Sequence, residues 1–134
     1  MTTPFWELLL FNNADNSIIR KSEESEIMSH QELIVIMTSL PDLNLSHNIA
    51  QILVEEKLAA CVQVVPSMIS TYLWDGKTCQ ESEHLVLIKT IASKYESLAA
   101  RLSTLHPYEV PEIIAIPAIA VEQNYLLWAK SNLV

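Results

Sequence analysis

The sequence predicts an α+β domain in the order β-α-β-β-α-β, with one further helix at its C-terminal end. Three observations carry that expectation. Leu33-Ile34-Val35-Ile36-Met37 is an unbroken apolar run, the pattern of a strand buried on both faces. Asp75-Gly76 stands between two stretches rich in β-branched and aromatic residues, a strong signal for a two-residue hairpin. Helix-period apolar stripes follow the first strand and the second arm of that hairpin, so each half reads as a strand with its own crossover helix.

Taken in order, Ser39-Leu40-Pro41-Asp42 reads as a turn after the first strand. Asn44 or Ser46 can then cap a helix with Ile49, Ile52 and Leu53 on one face, and Leu58 near its end. Ala59 to Trp74 is strand-like but interrupted by Pro66. Thr78 to Thr90 returns as the partner strand, with Leu85 and Leu87 on one face and Val86 and Ile88 on the other. A helix from about Ser93 to Leu105 aligns Tyr95, Leu98, Ala99 and Leu102. Glu112–Pro117 is the last core strand, and a short helix from Glu122 or Asn124 carries Leu126, Leu127 and Trp128. This is the split-βαβ, or ferredoxin-like, order.

Composition narrows the function classes. A chain of 134 residues with 50% apolar content holds one core without needing disulfides or metal staples. Residues 1–30 are set apart by their polar runs and read as a weakly ordered N-terminal extension, leaving 31–134 as the folded domain. A net charge of −8 lacks the basic surface that a nucleic-acid partner requires. Gly76 is the only glycine, so neither a Rossmann fingerprint nor a P-loop can be written and no nucleotide cofactor is expected. Phe5–Phe11 is apolar apart from Glu7 but short and without a basic flank, a poor leader peptide, and no run approaches ~18 apolar residues. A cytoplasmic protein with no membrane partner is the expectation.

The hairpin carries an oligomer argument. A sixteen-residue strand would span roughly 50 Å at ~3.3 Å per residue, while a 100-residue domain has a radius of gyration near 13 Å. The tip therefore projects past its own core, yet it holds Tyr72, Leu73 and Trp74, which are costly to leave in water. A neighbouring subunit that covers them, with Tyr72, Trp74 and Lys77 as contact residues, resolves the conflict.

His106-Pro107-Tyr108-Glu109-Val110-Pro111-Glu112 crowds an imidazole, a phenol and two carboxylates between prolines that keep the backbone extended. The segment reads as a rigid connector that ends one helix, launches the last core strand and lines a cleft between subunits.

Several motifs in this order resemble the divalent-cation tolerance, or CutA, family. They are Lys57-Leu58-Ala59-Ala60-Cys61-Val62, Tyr72-x-Trp74-x-Gly76-Lys77, Glu83, Lys89-Thr90, the whole of His106–Glu112, and Tyr125 with Trp128, covering roughly residues 33–130. The resemblance implies a ferredoxin-like subunit in a compact homotrimer, joined through long hairpins and linked to tolerance of copper and other divalent ions. Two departures stand out. Ser67 follows Pro66 where the family usually has glycine. Thr38 and Leu105 occupy positions where members thought to bind copper carry a cysteine and a second histidine, so of that site only His106 is kept.

Metal contact, weak and involving copper or another divalent cation, would fall to His106, Glu112 and Cys61, although no pair among them has the spacing of a dedicated site. The alternative role for His106 is to cap the preceding helix, and for Cys61 to serve as a small core residue. Cys79, near the hairpin tip, is the more exposed thiol. The inter-subunit cleft is expected to draw on Tyr108, Glu109, Lys89 and Glu83. Catalysis is not expected. The stretch Ser39 to Asn44 lacks the basic residue of a ferredoxin-like acylphosphatase, and nothing in the spacing brings Cys61 and His106 together as a nucleophile pair. The competing expectation is a PII-like trimeric sensor that takes a small molecule or anion in its clefts.

Overall fold

The computed structural model describes residues 32–134, so the N-terminal extension expected at 1–30 lies outside the described residues. Four strands form one antiparallel sheet: β1 (Leu33–Leu40), β2 (Cys61–Trp74), β3 (Lys77–Ile91) and β4 (Ile114–Pro117), in the order β2-β3-β1-β4. Both β1 and β2 run antiparallel to β3, so they are parallel to each other with β3 inserted between them. Helix α1 (Leu43–Glu55) makes that first crossover. A single 3₁₀ turn (Ala92–Lys94) and helix α2 (Tyr95–Leu105) make the second, to β4, and α3 (Gln123–Ser131) follows. The ferredoxin-like expectation with its extra C-terminal helix holds.

Strand parity sorts the sheet into two faces. Ile34, Ile36 and Leu40 of β1 and Val86 and Ile88 of β3 are buried with Ile49 and Leu53 of α1 and Leu98 and Leu102 of α2, forming the main core. Thr38 and Thr90 stand in the same rows and are also buried. Thr90 Oγ1 meets that burial by donating to the Leu58 carbonyl at 2.6 Å. On the other face, α3 packs Ala129 against Leu33 and Ala60, with Leu133 and half-buried Tyr125 and Leu126 beside them. Leu127 and Trp128, which the sequence reading placed on this helix, are exposed. The helix is anchored by the neighbours of Ala129, one step around its axis.

Two boundaries around the first crossover differ from the sequence reading. The first strand runs on to Leu40, because Thr38, Ser39 and Leu40 pair with Val86, Leu85 and His84; the turn begins only at Pro41. The cap of α1 is Asp42, whose carboxylate accepts from the Leu45 N–H at 2.7 Å, while Ser46 donates its hydroxyl to the Asp42 carbonyl at 2.7 Å. The last strand begins at Ile114, two residues after the expected Glu112. Glu122, one of the two starts read from the sequence, caps α3 by accepting from the Tyr125 N–H at 2.9 Å.

The hairpin is built as expected at its tip. Trp74 pairs with Lys77, and Asp75 and Gly76 both have positive φ (50° and 73°), the requirement of a type I′ turn. Pro66 does not break the strand. The register shifts between Val65 and Met68, forming a bulge in which Ser67 adopts φ 63° and its N–H donates to His84 Nδ1 at 3.2 Å. Where the strand must bend, a serine holds the left-handed geometry that suits glycine.

Beyond that bulge the sheet narrows. β1 reaches only to His84 on β3, so among the described residues, residues 77–83 of β3 have β2 as their sole strand neighbour. The result is a two-stranded arm of seven rungs, about 23 Å long at the usual rise.

Candidate functional site

The site sits where the root of that arm meets the connector after α2. Helix α2 ends at His106, whose N–H donates to the Leu102 carbonyl at 2.8 Å while its own backbone turns extended. The ring does not cap the helix, as the sequence reading allowed, and swings onto β1 instead. His106 Nε2 lies 2.9 Å from the Ser39 carbonyl and 3.1 Å from Thr38 Oγ1, and Nδ1 lies 3.2 Å from the Tyr108 N–H. A carbonyl can only accept and a backbone N–H can only donate, so the proton is on Nε2 and the lone pair on Nδ1 is used. The ring is 7% exposed. Burial pushes its pKa below the ordinary histidine value, and the Ser39 carbonyl and the Glu83 charge offset this only in part.

Tyr108 ties the connector to the arm. Its ring sits 4.9 Å from that of His106, and its hydroxyl donates to Glu83 Oε2 at 2.7 Å. Burial raises the Tyr108 pKa first, and the Glu83 carboxylate raises it further, so the phenol keeps its proton. Glu83 is 5% exposed. Burial alone would raise its pKa, but hydrogen bonds from Ser70, Tyr108 and Ser39 together prevail and hold the carboxyl below its ordinary value. Among the described residues the ion pairs join Arg101 to Glu56 and Lys130 to Glu32; neither reaches Glu83.

These residues border a cleft of about 540 Å³. Its aromatic walls are Tyr72 and Trp74 from the arm and Tyr108 from the connector, and its carboxylates are Glu81, Glu83, Glu109 and Glu112. Cys79 faces it between them, directly across from Tyr72. No Lys or Arg is part of the lining. The phenol of Tyr72 is pushed up by desolvation and then by its hydrogen bond to Glu81, a further mark of the negative surroundings.

Several expected site residues are brought together and others are not. Tyr108, Glu109, Glu83 and Glu112 share the cleft, joined by Tyr72 and Trp74, which the sequence suggested only as subunit contacts. Lys77 stays at the arm's tip. Lys89 lies six residues along β3 from Glu83, its Nζ 5.4 Å from the centre of the Tyr125 ring, so no lysine or arginine among the described residues lines the cleft. Cys61 pairs with that same Lys89 at the start of β2, half-buried and four ladder positions from Leu85, the partner of Ser39. The metal set His106, Glu112 and Cys61 is therefore dispersed, and both nitrogens of His106 are already engaged. Among the described residues no group of three or more His, Cys, Asp or Glu side chains is placed to hold a metal ion. The described residues of one chain do not fit a copper centre. Glu81 and Ser39 were missed as lining residues. Parity with Glu83 signals the first; the second was hidden by ending β1 too early.

A family model described as CutA1 divalent ion tolerance protein matches residues 34–132. The divalent-cation tolerance protein CutA of Thermus thermophilus is 41% identical over 98 residues, 73% of this chain and 95% of that protein. The chloroplastic protein CutA of Arabidopsis thaliana is 38% identical over 121 residues, 90% of this chain and 65% of that protein. The crystal structure of CutA from Xylella fastidiosa superposes with a TM-score of 0.75 at 38% identity, covering 77% of this chain and 99% of that one. With a family match over the whole sheet-and-helix body and relatives of this closeness, the chain belongs to the CutA1 divalent ion tolerance protein family.

Proposed function

We propose that this chain acts as a non-enzymatic homotrimer in the cellular response to divalent cations, copper among them. The observation that carries the oligomer is the arm. An isolated two-stranded hairpin is at best marginally stable in water, and this one ends in Leu73 at 71% and Trp74 at 53% exposure. On the open face of the sheet Val65, Ile114 and Ile116 are also exposed. Neighbouring subunits that cover the arm and this face remove both liabilities, and a closed ring does so without leaving an edge for further growth.

Metal contact in this reading is weak and lies outside any dedicated copper centre. His106 serves to fix the connector against β1. The non-enzymatic reading is supported by the separation of Cys61 from His106 and by an imidazole whose lone pair is committed to the Tyr108 N–H. The free cysteines Cys61 and Cys79 suit a reducing compartment such as the cytoplasm. No helix among the described residues is long and apolar enough to cross a membrane.

The experiment is complementation. In cells lacking their own family member and sensitive to Cu²⁺, Zn²⁺ or Co²⁺, expression of this chain restores growth at elevated metal, and expression of an arm-disrupted variant does not. Unchanged sensitivity with the well-expressed wild type contradicts the reading.

A further inference from the structure

We infer that Lys89 of one subunit pairs with Glu83 of the next, so that three identical ion pairs close the assembly into a ring. This rests on the trimer reading and names the residues that set its register. Glu83 is the first observation. It is 5% exposed, and the exposed part opens on the cleft whose wall includes arm residues that neighbouring subunits cover. Burial opposes its charge, yet hydrogen bonds from Ser70, Tyr108 and Ser39 prevail and keep the carboxyl ionised at neutral pH. Among the described residues the cations in ion pairs are Arg101 and Lys130, held by Glu56 and Glu32. A buried carboxylate is ordinarily paired, and the chain leaves that place to its neighbour.

The second observation is Lys89. Val86, Ile88 and Thr90 are buried on the helix side of β3. Alternation puts Glu83, Leu85, Leu87 and Lys89 together on the opposite face, the one exposed at Val65, Ile114 and Ile116. Lys89 is half-buried there beside Tyr125 and has no carboxylate partner among the described residues. An ammonium already stripped of part of its water loses little more on pairing. Lys77, at the arm's tip, is exposed, and water serves its charge. Glu83 and Lys89 stand six residues apart, about 20 Å at the usual rise, too far to meet within one chain. Around a three-fold axis each subunit presents its lysine to one neighbour and receives one from the other, and no carboxylate is left over.

The test is a double-mutant cycle on the full chain. The readout is the urea midpoint at which light scattering shows the mass fall from three chains to one, with circular dichroism reporting folding. Lys89→Met and the isosteric Glu83→Gln are each expected to lower that midpoint by about 1 M. The double variant is expected to lose no more than either single one, because both act on one pair. Charge exchange, Glu83→Lys together with Lys89→Glu, is expected to recover most of the loss seen in Lys89→Glu alone. Lys77→Met combined with Glu83→Gln is the control, and its effects should add. Lys89 is only half-buried, so its variants test the pair even if Glu83→Gln folds poorly, and an unchanged midpoint in Lys89→Met overturns the inference. Additive losses for Lys89 and Glu83, or non-additive losses for Lys77 instead, also overturn it and leave the trimer standing. A wild-type mass of one chain without urea overturns both.

Discussion

The Tyr108 hydroxyl donates to Glu83 Oε2 at 2.7 Å, joining the connector after α2 to the root of the β2–β3 arm. That bond fixes where the cleft opens and supplies one of the few donors to a buried carboxylate. Tyr108→Phe removes the donor while keeping the ring against His106. Hydrogen bonds to charged groups are worth about 1.5–3 kcal/mol, so urea denaturation is expected to show a loss of that size. A loss below about 0.5 kcal/mol would mean that Ser70 and Ser39 satisfy Glu83 unaided.

Stability falls with acid in two stages. His106 is neutral in the fold with its pKa depressed by burial, so the unfolded chain takes up a proton first. The stability tied to the neutral ring is fully present above the unfolded value near 6.5 and is lost as pH falls through the folded one. Glu83, also depressed, adds a second loss as pH drops below the ordinary carboxylate range. Between pH 7.5 and 5.5 the wild type should weaken by at most about 1.4 kcal/mol per pH unit for this one proton. His106→Asn, though less stable throughout, should lack that increment. The same slope in both proteins would contradict the assignment.

At the bulge, Ser67 pays for a left-handed backbone that glycine adopts without a steric penalty. Ser67→Gly keeps the N–H that reaches His84 and relieves a cost of about 1 kcal/mol, against some added entropy in the unfolded chain. A rise in stability of about 0.5 kcal/mol is expected by thermal or urea unfolding. A fall would show that the serine side chain has a partner role of its own.

Copper affinity should be insensitive to the imidazole. Titration of Cu²⁺ into wild type and His106→Ala is expected to give the same affinity within twofold, because Nε2–H and the Nδ1 lone pair are both engaged in the fold. A tenfold loss in the variant would place His106 in a metal site after all.

Much of this fold was legible from period and turn chemistry. The apolar run at Leu33–Met37, the Asp75-Gly76 turn and the stripe of Leu98 and Leu102 each map onto the structure because local pattern and tertiary packing agree there. The misreadings share a cause. Ser39 and Leu40 look like the start of a turn before Pro41-Asp42, yet β3 supplies pairing partners that keep them in the strand. Asn44 and Ser46 are good caps by composition, but Asp42 stands one residue before the first helical turn and takes the role. In α3 it is Ala129, with little apolar side chain to mark it in the sequence, that packs against Leu33 and Ala60, while Leu127 and Trp128 are exposed.

The site was half legible. Crowding of titratable groups in His106–Glu112 marked the connector, and the family's hairpin motif marked the tip. Glu83 was expected in a cleft with Tyr108 through the family's motif, but its burial was not readable, because Gln80 to His84 is polar throughout and nothing local distinguishes the buried acid from its exposed neighbours. Its burial comes from Tyr108, twenty-five residues away. The same tertiary meeting draws Tyr72 and Trp74 into a cleft wall.

The central claim is that the overlong arm exists because other copies of the chain cover it. Light scattering on the purified full chain, at micromolar concentration and physiological salt, tests this most directly. The predicted mass is three times the 15.1 kDa of one chain, shifting towards a single chain in a variant carrying Leu73→Asp and Trp74→Ser. A wild-type mass of one chain under those conditions would contradict it.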